Sequence, residues 1–250
     1  MDKHRAEHQF RCGRFRPPLR SGRHAGARVP SLNGYHRFKP VRPGDAFNET
    51  GGFVAVWGGS RSDTASYEVL GQRYEASGTP TGIEFLVNTY TTGTQSDPAV
   101  AVDASGNFVV VWLSYGQDGS QSGIFGQRFD SAGNRLGGEF AVNSYTTRHQ
   151  SFASVASDRS GNFVVVWQSY GQNGMSYSVF ARWYDTAGRT DGPEFQVNSV
   201  SLRGDYHASL AFEGVGRFVV VWAAWRDGDE ATGIAGQRFA SDVIFRNGFQ

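Results

Sequence analysis

The chain has 250 residues, a formal net charge of +1, 33 glycines, 14% aromatic residues and only 19% charged residues, a profile that suits short strands joined by tight turns. One thiol, Cys12, leaves no basis for a disulfide framework or a Cys-ligated metal, and no apolar run approaches the length of a membrane-spanning helix. The charge is unevenly spread. Residues 1–42 hold eleven Lys and Arg against Asp2 and Glu7, a net of +9, while residues 43–250 hold thirteen Arg against twenty-one Asp and Glu, a net of −8, which argues against nucleic acid as a partner of the larger part.

Residues 1–42, rich in Arg, His, Gly and Pro, show no apolar periodicity and are expected to be disordered and dispensable. A basic arm is one alternative reading. The abrupt change of composition near Pro43 suggests instead that the segment is not native coding sequence. It carries no apolar stretch of the kind that forms a signal peptide.

From residue 43 to 250 the chain repeats with a period of 55. Trp57, Trp112, Trp167 and Trp222 each close an apolar run, such as Phe108-Val109-Val110-Val111-Trp112. Four strands can be read in each copy. In the second copy they are Ala99–Val102, Phe108–Trp112, Gly123–Phe129 and Glu139–Asn143, called here a, b, c and d. Turn sequences such as Asp103-Ala104-Ser105-Gly106 separate them. An unbroken apolar strand b implies burial on both faces. Four antiparallel strands per repeat predict an all-β, β-propeller-like array of four four-stranded units, with the tryptophans buried between neighbouring sheets. An open β-repeat array or a fragment of a larger propeller is the alternative. The fourth copy reaches strand c at Gly233–Phe239, and Val29–Asn33 offers only a weak match for a closing strand d.

The strings Gly126-Gln127-Arg128-Phe129-Asp130, Glu139–Thr147 and Gly161-Asn162-Phe163-Val164-Val165-Val166-Trp167 resemble repeats of uncharacterised secreted or surface proteins of environmental bacteria. The resemblance covers residues from about 43 to 240. Residues 243–250 resemble the "IFxxGFE" tail of exported proteins of xanthomonad-like bacteria, with Gln250 where an acidic residue is usual. Both resemblances imply a secreted or cell-surface location; neither brings a catalytic motif.

The b–c loops carry the candidate ligand site. Tyr115, Gln117 and Asp118 align with Tyr170, Gln172 and Asn173 and with Trp225 and Asp227. An aromatic ring beside an amide or carboxylate suits a pyranose face and its hydroxyls, so a glycan is the expected ligand and a protein the alternative. No cofactor is expected; calcium is the metal that Asp227, Asp229 and Glu230 would suit. The recurring Arg73, Arg128 and Arg238 read either as a ring around an anion or, preferably, as packing residues paired with the recurring Glu84, Glu139 and Glu194. Asp103, Asp158 and Glu213 read as turn caps. His149 and His207 occupy unmatched positions, and Asp205-Tyr206-His207 lacks a nucleophile elbow or a second metal-binding histidine. The expectation is therefore a non-enzymatic binding or adhesion module. The alternatives are a polysaccharide-acting glycoside hydrolase or lyase, and a purely structural repeat.

Overall fold

The computed structural model describes residues 41–60, 66–174, 176–198, 204–225 and 232–240. They form fifteen strands in four antiparallel sheets, with no helix among the described residues. Sheet 1 holds β1 (Val41–Phe47), β2 (Phe53–Ser60), β3 (Tyr67–Tyr74) and β4 (Pro80–Leu86). Sheet 2 holds β5 (Gln95–Val102), β6 (Phe108–Tyr115), β7 (Ser122–Phe129) and the two-residue β8 (Phe140–Ala141). Sheet 3 repeats this with β9 (Gln150–Ser157), β10 (Phe163–Tyr170), β11 (Tyr177–Tyr184) and β12 (Phe195–Gln196). Sheet 4 has β13 (Asp205–Gly214), β14 (Arg217–Trp225) and β15 (Thr232–Ala240).

Each sheet is a meander because its turns are short and chemically specified. At Asp103 the carboxylate accepts from the backbone N–H of Ser105 (2.8 Å) and Asn107 (2.9 Å), while Gly106 takes the left-handed conformation at φ 82°. Asp158 makes the same bonds to Ser160 and Asn162, with Gly161 at φ 94°. A type I turn closed by a left-handed glycine joins strands with the right twist. The capping role read for Asp103 and Asp158 is what these carboxylates perform; Glu213 instead pairs with Arg238.

The unbroken apolar run of strand b gives sheets 2 and 3 two buried faces. One face of sheet 2 presents Val109, Val111, Ile124 and Val142 to Val155, Phe163, Val165, Trp167 and Phe180 of sheet 3. Sheet 1 meets sheet 2, and sheet 3 meets sheet 4, in the same way, a valine-rich face against a tryptophan-bearing one. Trp57, Trp112, Trp167 and Trp222 are all buried at equivalent positions. Neighbouring first strands pack on one another, β1 on β5, β5 on β9 and β9 on β13, so these strands line the inner side of a β-propeller-like array. Among the described residues, the packing runs in sequence order, with no extensive contact between sheets 4 and 1.

Several strand limits differ from the sequence reading, among them strand b, which runs on from Trp112 to Tyr115. The first strand of sheet 2 begins at Gln95 rather than Ala99, because pairing resumes beyond a bulge. Strand d shrinks to Phe140–Ala141, since Asn143 turns its side chain inward to cap Ile124 N (2.6 Å). Strand β1 starts at Val41, ahead of the boundary at residue 42. Residues 1–40, the Val29–Asn33 stretch and the 243–250 tail lie outside the described residues.

Candidate functional site

The bulge that extends strand a recurs at one register in every sheet, where two residues of the inner strand oppose a single tryptophan. Asp97 and Pro98 face Trp112, Phe152 and Ala153 face Trp167, and His207 and Ala208 face Trp222; β1 shifts register at the corresponding place. Asp97, Phe152 and His207 take the same left-handed backbone, with φ of 50°, 53° and 52°. Such a conformation costs a non-glycine residue about 1–3 kcal/mol and re-aims its side chain. The ring of Phe152 meets that of His207 edge-on at 4.6 Å, so inner strands of adjacent sheets bring these side chains together. His207 is exposed, Asp97 is half-buried, and the backbone N–H of His207 donates to Gln168 Oε1 (3.3 Å).

This end of the array also holds the b–c and d–a loops, because strand a begins where strand b ends: Gln150 pairs with Ser169, and Gln95 with Ser114. The fourth left-handed non-glycine residue, Arg148 (φ 66°), sits here as well, its guanidinium 5.3 Å from the centre of the Tyr170 ring. Tyr170 packs on Tyr177 (4.9 Å), and Tyr177 on Tyr206 (5.5 Å), an aromatic run from sheet 3 to sheet 4. Tyr115 stands exposed at the equivalent loop of sheet 2.

The polar partners read beside these aromatics brace the loops. Gln117 Nε2 donates to Glu139 Oε1, whose other oxygen accepts from Thr89 N (2.7 Å) and Thr89 Oγ1 (2.9 Å). One repeat later, Gln172 donates to Glu194 (2.6 Å), which also accepts from Ser144 N (2.6 Å). Asp118 Oδ1 accepts from Ser120 N (3.0 Å), and Asn173 Oδ1 from Ser178 Oγ (2.8 Å). The side chain of Trp225 and residues Asp227, Asp229 and Glu230 lie outside the described residues. No cluster of metal-ligating side chains occurs among the described residues.

A buried polar network repeats beneath this surface and changes in sheet 4. Gln95 and Gln150 donate to the d–a loop carbonyls of Thr92 (3.1 Å) and Thr147 (3.1 Å), and to Ser114 Oγ (3.4 Å) and Ser169 Oγ (3.3 Å). Sheet 4 has Asp205 at the glutamine position and Ala224 at the serine position, so both the donor and its hydroxyl partner are gone. Asp205 is 3% exposed; Asn198 Nδ2 donates to its Oδ2 (2.5 Å), and its Oδ1 has no hydrogen-bond partner. Burial pushes its carboxyl up to about 6, against the opposing effect of the Asn198 bond. Burial first, then the neighbouring Tyr177, Asp205 and Tyr170, raises the Tyr206 hydroxyl.

The recurring arginines clamp neighbouring sheets. Arg73 Nη1 donates to Ser131 O (2.8 Å), and Arg128 Nη2 to Thr186 O (2.6 Å), each reaching the c–d turn of the next sheet. Their pairing with the recurring glutamates is realised instead by Arg182, 3.6 Å from Glu194. Arg182 also donates to Val142 O (2.6 Å), the role that Arg135 plays one repeat earlier toward Val87 O (2.6 Å). A guanidinium from another sequence position thus fills the same structural place. Ser122 Oγ lies 3.2 Å from His149 Nδ1, yet Ser122 is buried and bonds Gln150 O (3.0 Å), so the pair is held as structure. A groove of about 300 Å³ between sheets 1 and 2 opens at the opposite end among Asn48, Arg73, Glu75 and Ser131.

No family model matches the chain, and no curated protein does. Solved structures share the architecture. An endo-arabinase from Bacteroides thetaiotaomicron matches at a TM-score of 0.52 and 12% identity, over 86% of this chain and 79% of that one. An α-L-arabinanase of Penicillium chrysogenum complexed with arabinobiose matches at 0.51 and 17%, over 82% of this chain and 57% of that one. An N-acetylgalactosamine deacetylase from F. plautii in complex with blood group B trisaccharide matches at 0.50 and 11%, over 83% and 74%. These likenesses establish the propeller-like fold. The expectation of a non-enzymatic binding or adhesion module is corrected on the names of these three, an endo-arabinase, an α-L-arabinanase and a deacetylase, which are enzymes rather than binding modules.

Proposed function

We propose that the protein is a polysaccharide-acting enzyme, a glycoside hydrolase or lyase, whose reactive centre lies at the bulges of the inner strands. One observation carries this reading. At a strained position where the backbone repeats from sheet to sheet, the side chains differ: Asp97, Phe152 and His207. The four tryptophans opposite these bulges, by contrast, keep their residue type. A position that keeps its costly backbone but varies its side chain serves something other than packing. A carboxyl group and an imidazole are suited to moving a proton to and from a glycosidic oxygen or a sugar carbon. The Phe152 ring and the Tyr115 and Tyr170 loops would stack on sugar faces beside them. The named activities of the structural neighbours support a glycan substrate. The resemblance of the repeats to exported bacterial proteins supports action outside the cell.

The test is a panel of arabinan, xylan, pectin and galactan, read by reducing ends for hydrolysis and by ultraviolet absorbance for unsaturated lyase products. Asp97→Asn and His207→Asn keep a residue that tolerates the left-handed backbone and remove the titrating group. Each should lower turnover by about 10²–10⁴-fold with an unchanged melting curve. Turnover that both variants retain would remove the bulges from the chemistry.

A further inference from the structure

The d–a loop that enters sheet 3 carries a cation at a place where the backbone favours glycine. Arg148 is left-handed at φ 66°. Its counterpart one period of 55 earlier is Gly93, which takes φ 79° without strain. The Arg148 backbone is held from sheet 2: its N–H donates to Ser120 Oγ (3.2 Å), and its carbonyl accepts from Ser122 N (3.5 Å). Glycine would make both bonds equally well, so the fold of the loop does not call for an arginine. One period later the sequence again has arginine, Arg203, which lies outside the described residues.

The guanidinium is also placed differently from those of the clamps. Arg73, Arg128, Arg135 and Arg182 each donate to backbone carbonyls. Arg148 is exposed, and among the described residues its guanidinium makes no hydrogen bond or ion pair. It lies 5.3 Å from the centre of the Tyr170 ring, a cation–π contact that uses none of its N–H donors. From Tyr170 the rings continue through Tyr177 (4.9 Å) and Tyr206 (5.5 Å) to His207 (6.5 Å), which meets Phe152 at 4.6 Å. The three tyrosines are half-buried, so each keeps part of its surface open to solvent. Arg148 and the His207 bulge are thus the two ends of one aromatic run.

We infer that this run takes an acidic polysaccharide, with Arg148 receiving the carboxylate of a uronate unit and the tyrosines stacking on the sugar rings. The inference rests on the reading of the bulges as a glycan-processing centre, and it narrows the substrate class of that centre. A guanidinium offers two parallel N–H donors that match a planar carboxylate. Neutral glycans present hydroxyls alone, which a glycine-bearing loop with its aromatic ring would serve without the strain. The net charge of −8 over residues 43–250 does not oppose this, because exposed charges more than about 8 Å apart are largely screened at physiological ionic strength.

Affinity electrophoresis of the full-length protein through polygalacturonate, its methyl ester, galactan and dextran sulfate tests the inference. The variants are Arg148→Gly, which suits the left-handed backbone and should keep the wild-type melting curve, and Arg217→Gln. Arg217 is exposed beside the a–b turn at the opposite end and controls for net charge. The wild type should be retarded by polygalacturonate and not by its ester. Arg148→Gly should bind about 10–100-fold more weakly, with Arg217→Gln unchanged. No binding of polygalacturonate, equal binding of its ester, or equal loss in both variants overturns the inference. Retardation by dextran sulfate alone also overturns it, since the anion would then be a sulfate ester. Turnover confined to neutral glycans and retained by Arg148→Gly would keep the enzyme and remove the acidic substrate. Arg148-dependent binding of polygalacturonate without turnover of any glycan would do the reverse.

Discussion

Asp205 is the point at which the array gives up stability, and the loss should be visible as pH dependence. The carboxyl is buried, one oxygen is unpartnered, and its titration is displaced from 3.8 to about 6. The folded state therefore holds the proton more tightly than the unfolded chain. Its contribution is fully present below the unfolded value and is lost as pH rises through the folded value. At ~1.4 kcal/mol per pH unit of displacement, the folded state is about 2–3 kcal/mol less stable above about pH 7 than below about pH 4 on account of this group alone. Urea titrations of the wild type and of Asp205→Asn across that window isolate the term, because other titrating groups cancel in the difference. Asn keeps the bond from Asn198, and the fixed cost of burying its amide shifts the difference curve without tilting it. The variant should gain about 2–3 kcal/mol relative to the wild type between the two ends of the window. A flat difference curve would show that Asp205 is solvated or partnered, and that the departure from the glutamine of the other sheets is neutral.

Truncation of Trp167 to Ala should destabilise the fold by about 3–5 kcal/mol in the same urea assay, since the ring is 0% exposed between sheets 2 and 3. Replacing Asn143 by Ala leaves Ile124 N and Tyr145 O without their bonds and should cost about 2–3 kcal/mol, with hydrogen exchange at Ile124 accelerated ahead of its neighbours. Arg128→Ala removes the clamp on Thr186 and Ala187 near solvent and should cost only about 1 kcal/mol, a difference in rank that the two variants measured together will show. Changing Gln172 to Ala should raise the protease sensitivity of the b–c loop while leaving the midpoint of global unfolding nearly fixed, because its partner Glu194 keeps Ser144 N.

The fold was legible because its determinants are local. An apolar run ending in tryptophan every 55 residues specifies a strand buried on both faces, and Asp and Gly at fixed offsets specify the turns, so the sheets and the buried tryptophans follow from short-range pattern alone. The first strand was read from Ala99 because Gln95-Ser96-Asp97-Pro98 has no strand-like alternation; pairing with β6 across a bulge is what makes it strand. For the same reason the sequence does not connect Asp97 and Phe152 with His207, which it shows only as an unmatched histidine: the three share only a spacing of 55, and their common backbone appears when each tryptophan takes its place opposite two residues. That spacing was the available signal. Gln117 and Gln172 read as ligand groups from their neighbours in sequence, and the carboxylates that accept from their amide nitrogens stand 22 residues away, beyond the reach of local pattern. Likewise, Arg182 replaces Arg135 as the grip on the preceding sheet, although the two occupy different places in the repeat. Sequence by itself determined which segments become strands and which faces are apolar, since those depend on neighbours along the chain. The tertiary structure alone decided which polar groups brace the loops and which stay exposed, because that depends on which distant groups packing brings within bonding distance.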